Sequence, residues 1–335
     1  MARNVGNFVF CFLLSISIMS CGGKDTGSER LTISVIPKGT THVFWQAIHA
    51  GAVKAARELE VDVLWVGPER EDNRQQQIAL VDNQVLRQVD GIVLAPTDQM
   101  ALRRPVRAAV QKNIPVVIID SGLADSEDIY TSFIATDNRE GGRMAGRELA
   151  KLLDGKGRVI LLRLQEGSAS TTNREEGFLE TIAQFPGIEV ASSEQYGGAT
   201  VASGQQVAEN LILRFLDEQG NLPIDGIFCC NETTTYGMLQ ALRRFRLAGK
   251  VKFIGFDSAP PLIEAMRQNE LHGLIIQDPF KMGYLGVKTM VQHLQGQSVP
   301  KRIDSGVTFV SHTDVDKPAL QHLIHPDIDR WLKNK

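Results

Sequence analysis

The sequence predicts an α/β protein made of two lobes, each with a parallel sheet covered by helices. Three observations carry this prediction. The chain has 335 residues, which suits about two domains of roughly 100–200 residues each. From Leu31 onward, short β-branched runs alternate with amphipathic helices, as repeated βαβ units require. The alternation comes in two successive runs of similar length, so we expect two lobes.

The first run is predicted to contain four strands and three helices. The strands are Leu31–Ile36, Val61–Val66, Gly91–Leu94 and Val116–Ile119, and the helices are Phe44–Leu59, Asn73–Gln88 and Met100–Lys112. A connecting segment, Tyr130–Thr136, leads to the second run.

The second run is predicted to continue the same alternation. Its strands are Arg158–Leu164, Glu189–Gln195, Ile227–Cys230, Lys252–Phe256, Leu274–Gln277 and Val307–Val310. Its helices are Arg139–Leu153, Arg174–Gln184, Ala202–Asp217, Thr234–Phe245, Leu262–Asn269 and Lys281–Leu294. Beyond residue 312 we expect one or two short helices, packed on the second lobe.

The N-terminus is predicted to be an export signal, residues 1–20. Arg3 supplies a positive charge, and the apolar run Phe8–Met19 is too short to span a bilayer comfortably. The following Ser20-Cys21 resembles a bacterial lipobox, in which the signal is removed and the cysteine carries lipid. We therefore expect Cys21 to be the lipidated residue of a short tether, 21–30, that anchors the protein to a membrane of the cell envelope. A cleaved signal with an incidental cysteine is the alternative.

Charge and motif content argue against several classes of protein. The net charge of −3, from 36 basic and 39 acidic residues, gives no broad basic field for nucleic acid. Phosphate-binding loops, dinucleotide fingerprints, nucleophile elbows and zinc-protease motifs are absent from the sequence. The seven histidines have no convincing metal-ligand spacing. We therefore expect that the protein is not an enzyme and that it binds no metal and no cofactor.

An internal echo points to a ligand cleft. The segment that begins at Asp90 resembles the one that begins at Asp225, and about thirty residues later each half has an Asp-Ser pair, Asp120-Ser121 and Asp257-Ser258. Ligands of open α/β sheets bind beyond the carboxyl ends of the strands, so two facing lobes would each contribute an aspartate. The alternative is that each Asp-Ser pair caps the helix or turn that follows it.

These residue types suit a polyhydroxylated ligand. Carboxylates and amides form hydrogen bonds with neighbouring hydroxyl groups, and aromatic rings pack on the apolar face of a sugar. Phe44-Trp45 follows the first strand, where such a ring would be useful. Core packing in the first turn of a helix is the other interpretation of this pair.

The order of motifs resembles the type 1 periplasmic binding proteins, particularly the ribose-binding-protein-like sugar receptors of ABC importers, whose core also occurs in the effector domains of lac-repressor-type regulators. The resemblance runs from about Leu31 to Ser311. It is carried by Phe44-Trp45, Asp90-Gly91-Ile92, Pro96-Thr97-Asp98, Ile114-Pro115-Val116, Asp120, Ala135-Thr136-Asp137-Asn138, Gly141-Gly142, Arg174, Gly177-Phe178, Asn231-Glu232, Gly255-Phe256-Asp257 and Gln277-Asp278-Pro279.

The resemblance implies two Rossmann-like lobes joined by a hinge of three crossings, with the ligand trapped in the cleft between them. The crossings would fall near residues 135–137, 277–279 and 305–307. The first lobe would then comprise 31–135 with 278–306, and the second 136–277 with 307–335. The implied partners are a small sugar or sugar-like ligand and the membrane permease subunits of an ABC importer, which would recognise the closed form.

The resemblance also implies which residues bind the ligand. Phe44 and Trp45 match the family's ring-stacking aromatics, and five polar residues match its hydroxyl-binding groups: Asp120, Arg174, Asn231, Asp257 and Gln277. Lys38, His42 and Ser121 stand at site positions where the chain departs from ribose binders, and Ala199 stands where a third aromatic is expected. Lys38, His42 and Arg174 together could suit an acidic or phosphorylated sugar, but Lys38 could equally pair with Asp120 or Asp257.

Sensing is the alternative to import that the sequence leaves open. The same lobes could report a ligand to a chemoreceptor or to the exterior of a sensor kinase. A DNA-binding regulator is disfavoured because residues 1–30 have the pattern of an export signal rather than of a DNA-binding headpiece. An enzyme would need a catalytic constellation that the sequence does not show.

Overall fold

The computed structural model describes residues 1–2, 30–126 and 128–333. The chain divides into a short N-terminal unit, Met1–Arg30, and a folded unit, Leu31–Lys335. The predicted signal peptide and Cys21 lie outside the described residues, apart from Met1 and Ala2. In the part of the chain that the structure describes, no helix has the length and apolar character needed to cross a membrane.

The first sheet has six strands: β1 Thr32–Ile36, β2 Asp62–Trp65, β3 Gly91–Leu94, β4 Val116–Ile119, β5 Ser132–Ala135 and β11 Arg302–Asp304. They are all parallel and lie in the order β11-β5-β4-β3-β1-β2. The helices of this lobe are α1 Val43–Leu59, α2 Arg74–Leu86, α3 Arg103–Gln111 and α9 Pro279–Leu294. Two apolar clusters, one on each face of the sheet, form its core, as expected for a parallel sheet buried on both sides.

The second sheet also has six strands: β6 Lys156–Arg163, β7 Gly187–Tyr196, β8 Gly226–Cys229, β9 Lys252–Phe256, β10 Gly273–Gln277 and β12 Val307–Ser311. They lie in the order β12-β10-β9-β8-β6-β7, and among these strands only β12 runs antiparallel to its neighbour. The helices are α4 Asn138–Leu152, α5 Ala169–Ile182, α6 Val201–Phe215, α7 Glu232–Arg244 and α8 Pro260–Arg267. Two further apolar clusters form the core of this lobe. The predicted α/β class with two lobes is confirmed.

Two strands were not predicted as strands. The connecting segment Tyr130–Thr136 contains β5, and β11 has only three residues, Arg302-Ile303-Asp304, with a single apolar side chain. Such a short, polar segment has no alternating pattern of its own. It becomes a strand because it pairs in parallel with β5 at the sheet edge.

The chain passes between the two sheets three times before residue 312. It leaves the first sheet after β5, returns between β10 and α9, and leaves again between β11 and β12. Hydrogen bonds tie these crossings together. The Thr136 hydroxyl donates to the Gly306 carbonyl at 3.2 Å, and Lys281 Nζ donates to the Ser305 carbonyl at 3.3 Å. The three crossings therefore lie side by side, as a shared hinge requires.

The C-terminal segment, residues 312–333, adds a fourth passage between the lobes. It begins on the second lobe, where Val315 and Ile324 enter the apolar core and the Ser258 hydroxyl donates to the Leu323 carbonyl at 3.2 Å. A short 3-10 helix, Pro318–Leu320, and helix α10, Gln321–Ile324, lie in this part.

The last helix, α11 Ile328–Leu332, packs instead against α1 of the first lobe. Arg57 Nη2 donates to the Trp331 carbonyl at 3.2 Å, and the Trp331 ring lies 6.4 Å from that of Phe280 on α9. The expectation that the whole segment packs on the second lobe is therefore wrong for α11. Arg57 and Phe280, which both belong to the first lobe, contact Trp331 of α11.

Candidate sugar-binding cleft

A small cavity lies between the facing strand ends of the two lobes. Nine of the ten residues predicted to bind a ligand line it: Lys38, His42, Phe44, Trp45, Asp120, Arg174, Asn231, Asp257 and Gln277. Five further residues complete the lining: Glu71, Leu164, Ser170, Thr171 and Glu232.

The two aspartates of the internal echo occupy equivalent positions in the two lobes. Asp120 directly follows β4 and Asp257 directly follows β9, and both have left-handed backbones, with φ of 61° and 68°. Aspartate is one of the few non-glycine residues that adopts this conformation with any frequency. Each turn ends its strand and leaves the carboxylate in the lining of the cavity.

Lys38 joins the two walls of the cleft. Its Nζ lies 2.6 Å from Asp120 Oδ2 and donates to the Ser170 hydroxyl of the second lobe at 3.0 Å. The Lys38 and Asp120 side chains are only 3% and 4% exposed. Removing one partner of such a buried ion pair would leave the other charge without water and without a counter-charge.

Glu71 organises the aromatic end of the first wall. Its Oε1 accepts a hydrogen bond from Trp45 Nε1 at 2.7 Å and lies 3.0 Å from His42 Nδ1. Burial would raise the pKa of Glu71, but the hydrogen bond and charge of His42 outweigh it and lower that pKa. Burial would likewise lower the pKa of His42, yet the hydrogen bond and charge of Glu71 raise it overall.

Trp45 and Phe44 form the aromatic part of the lining at the start of α1. Their ring centroids are 4.9 Å apart and the rings are nearly perpendicular, at 89°. Both side chains are buried, at 2% and 8% exposure. The alternative of simple core packing therefore accounts for part of each ring, while both residues also line the cavity.

Arg174 on α5 is held by four neighbouring groups in the second wall. Its Nε donates to Asn138 Oδ1 at 2.8 Å, and its Nη1 donates to the Cys230 carbonyl at 3.0 Å. Nη1 also lies 4.0 Å from Asp257 Oδ2, and the guanidinium lies 3.8 Å from the centroid of the Phe256 ring. These contacts fix its orientation before any ligand arrives.

Asp257 accepts hydrogen bonds from both sides. Gln277 Nε2 donates to its Oδ1 at 2.6 Å, and the Glu232 backbone N–H donates to its Oδ2 at 3.2 Å. Burial raises the pKa of Asp257, and the neighbouring charge of Arg174 opposes the shift. Gln277 Oε1 is buried and has no hydrogen-bond partner among the described residues. It is therefore a free acceptor on the lining of the cavity.

Glu232, the first residue of α7, is the acid of the lining that forms no ion pair with any residue that the structure describes. Its Oε2 accepts a long hydrogen bond, 3.4 Å, from the Phe44 backbone N–H. Burial raises the pKa of Glu232 to about 7, opposed by the charge of His42. Glu232 belongs to the Asn231-Glu232 motif of the family resemblance, but only Asn231 of that motif was predicted to bind the ligand.

Asn231 lines the cavity and also caps a helix, whereas Ser121 lies outside the lining. Asn231 caps α7, because its Oδ1 accepts hydrogen bonds from the Thr234 N–H at 3.2 Å and from the Thr234 hydroxyl at 2.6 Å. Ser121 does not line the cavity. Its hydroxyl instead accepts a hydrogen bond from the Ser170 N–H at 3.1 Å, so it lies in the contact between the lobes.

Further hydrogen bonds join the lobes at the edge of the cleft. The Gln99 N–H donates to the Gly167 carbonyl at 2.9 Å, and Gln165 Nε2 donates to the Glu71 carbonyl at 3.2 Å. Arg74 reaches the Glu166 carbonyl at 2.7 Å. The lobes are therefore closed on each other. Within the described ranges no group of three or more metal-ligating side chains could hold a metal ion.

Comparison with known proteins places this architecture in a family. A family model described as a periplasmic binding protein domain matches residues 33–298. The chain belongs to the periplasmic binding protein family. It is 30% identical over 289 residues to the ribose import binding protein RbsB of Escherichia coli, covering 86% of this chain and 93% of that one.

Solved structures of this family agree with the assignment. A carbohydrate transporter solute-binding protein from Agrobacterium radiobacter, in complex with D-arabinose, has a TM-score of 0.83 and 33% identity, over 89% of this chain and 99% of that chain. An ABC transporter solute-binding protein from Agrobacterium vitis with bound D-fucose has a TM-score of 0.83 and 32% identity, over 88% and 100%. The resemblance to sugar receptors of ABC importers is confirmed, and these relatives are substrate-binding transport proteins rather than enzymes.

Proposed function

We propose that this protein is an exported receptor that captures a sugar between its two lobes and delivers it to the membrane subunits of an ABC importer. The observation that carries the proposal is the pairing of Asp120 and Asp257 on equivalent left-handed turns of the two walls. Carboxylates in this arrangement accept hydrogen bonds from neighbouring sugar hydroxyls, and Arg174 donates them. The sugars that occupy the related solved structures support the same class of ligand.

The charges of the cleft favour a neutral sugar over a sugar acid or phosphate. Each cation of the lining already has a carboxylate near it: Lys38 with Asp120, His42 with Glu71, and Arg174 with Asp257. An anionic ligand would have to compete with these carboxylates for the same cations. The three cations therefore orient the carboxylates of the lining and are not left unpaired for an anionic ligand.

Ligand binding is tested by thermal unfolding of the purified protein with matched sugars. The panel contains neutral pentoses and hexoses, D-ribose, D-arabinose, D-allose and D-fucose among them, beside sugar acids and sugar phosphates. A ligand at about a thousand times its dissociation constant adds roughly 4 kcal/mol to the free energy of unfolding, which raises Tm by several degrees. We expect a neutral sugar to give the largest rise. No rise with any sugar would refute the proposal, and a larger rise with an acid or phosphate would refute the neutral class.

Import is tested in cells, because the same lobes could serve a chemoreceptor or sensor kinase. Deleting the gene should abolish uptake of the radiolabelled sugar that stabilises the purified protein, and restoring it should recover uptake. Unchanged uptake with loss of a chemotactic or transcriptional response would favour the sensing alternative.

We further propose that the protein is anchored in the cell envelope through lipid on Cys21, which follows Ser20 at the end of the apolar run Phe8–Met19. Replacing Cys21 by Ser should abolish labelling with radioactive palmitate and release the protein from membranes. Cys11→Ser is the matched control, because Cys11 lies within the proposed signal. This substitution should leave the labelling unchanged. Labelling of the Cys21→Ser variant would contradict the proposal.

A further inference from the structure

Glu71 has a place in the cleft that neither the motif pattern nor the neighbouring strand ends predicted. It lies in the loop after β2, in the charged stretch Glu69-Arg70-Glu71-Asp72, where a solvated side chain would be expected. It is nevertheless only 7% exposed and lines the cavity. A buried carboxylate in a charged surface loop needs partners, and the partners identify its role.

The two carboxylate oxygens of Glu71 differ in their hydrogen bonding: Oε1 has partners within the protein and Oε2 has none among the described residues. Oε1 accepts the hydrogen bond of Trp45 Nε1 and faces His42 Nδ1. Oε2 has no hydrogen bond with any described residue and is not among the fully buried orphan atoms. A carboxylate anchored through one oxygen leaves the lone pairs of the other in a fixed direction beside the Trp45 ring.

We propose that Glu71 determines ligand specificity: Oε1 holds the Trp45 ring in place, and Oε2 accepts a hydrogen bond from one hydroxyl of the sugar packed against that ring. This inference rests on the proposed function. It names the ligand as a neutral sugar with a free hydroxyl at the position next to the face that contacts Trp45. A sugar that lacks this hydroxyl leaves a desolvated charged acceptor without a partner, which costs far more than losing an exposed contact.

The backbone of Glu71 links this hydroxyl to closure of the lobes. Its carbonyl accepts the hydrogen bond of Gln165 Nε2, which comes from the second lobe, at 3.2 Å. The loop that contacts the ligand is therefore the same loop that the second lobe contacts when the cleft is closed. A ligand that orders this loop favours the closed state because it binds that state more tightly.

The test compares Glu71→Gln with Glu69→Gln, a matched control on an exposed acid of the same loop. Affinities are measured by calorimetry for D-ribose and 2-deoxy-D-ribose, and for D-galactose, 2-deoxy-D-galactose and D-fucose. We expect the wild type to bind one deoxy sugar at least tenfold more weakly than its parent. Glu71→Gln should lose most of that preference at this one position, and Glu69→Gln should keep it.

Two results would overturn the inference. Glu71→Gln could keep the full preference against every deoxy sugar, or it could weaken parent and deoxy sugars by the same factor, as a purely structural residue would. A wild type that binds neither these sugars nor any sugar of the thermal-unfolding panel would instead overturn the proposed function itself, so the two failures are distinguishable.

Trp45→Phe separates direct contact from positioning and serves also if Glu71→Gln fails to fold. It keeps an aromatic ring and removes the Nε1 donor, while His42 still faces Oε1. If Oε2 contacts the ligand, Trp45→Phe weakens binding but keeps the preference against the deoxy sugar. If Glu71 acts only by orienting the ring, Trp45→Phe loses that preference as Glu71→Gln does, and the inference is wrong.

Discussion

Replacing Lys38 by Met would leave Asp120 buried without its cation. The two groups are 2.6 Å apart and are 3% and 4% exposed, so neither is stabilised by bulk water. Breaking a buried ion pair from one side typically costs about 3–5 kcal/mol, because the remaining charge is desolvated and unpaired. The Ser170 hydroxyl also loses its donor from the first lobe. We therefore expect the free energy of unfolding to fall by about 3–5 kcal/mol and ligand binding to become undetectable.

The assay is urea unfolding followed by tryptophan fluorescence, beside calorimetry with the best sugar. Lys54→Met is the matched control, because Lys54 also lies 2.6 Å from a carboxylate, Glu58, on the exposed surface of α1. It should lose only a small fraction of what Lys38→Met loses. The double variant Lys38→Met/Asp120→Asn should regain most of the stability but none of the binding. A loss below about 1 kcal/mol for Lys38→Met, the range of exposed pairs, would refute the reasoning.

Three other predictions test the site and the hinge. Asp257→Ala should weaken sugar binding about 100-fold or more, measured by calorimetry, and unchanged affinity would remove it from the site. The stabilising effect of His42 should be complete below its unfolded pKa of about 6.5 and be lost as pH rises through its raised folded pKa. The Tm of the His42→Gln variant should therefore approach that of the wild type at higher pH. A difference in Tm that stays constant with pH would contradict the pairing with Glu71. Trp331→Ala should free the C-terminal segment from α1 and increase the radius of gyration of the ligand-free protein in X-ray scattering; an identical radius would show that the segment does not restrain opening.

The internal echo explains why so much of the fold could be predicted. Asp90 and Asp225 each precede a central strand, and each accepts a hydrogen bond at 2.7 Å from the backbone N–H of a residue of the neighbouring strand region, Thr32 in one lobe and Arg158 in the other. The same local contact therefore recurs in both sheets. Strand β11 escaped prediction because its pairing with β5 joins residues far apart in the chain.

The cavity lining was only partly predictable for a physical reason. Asp120, Asp257 and Gln277 stand at strand ends, so local pattern and topology together place them in the cleft. Glu71 lies in a loop, and its burial depends on Trp45 and His42 across the first wall. No spacing in the sequence records such a contact.

The polar contacts of each wall are assembled mostly within its own lobe. Glu71 holds Trp45 in the first lobe, and Gln277 holds Asp257 in the second. Contacts that join the walls include those from Lys38 Nζ to the Ser170 hydroxyl and from Gln165 Nε2 to the Glu71 carbonyl. Opening the hinge would therefore break these hydrogen bonds between the lobes but leave the contacts within each half-site in place. A ligand that bridges the walls gains affinity because the side chains are already ordered, and its binding energy is left to favour closure.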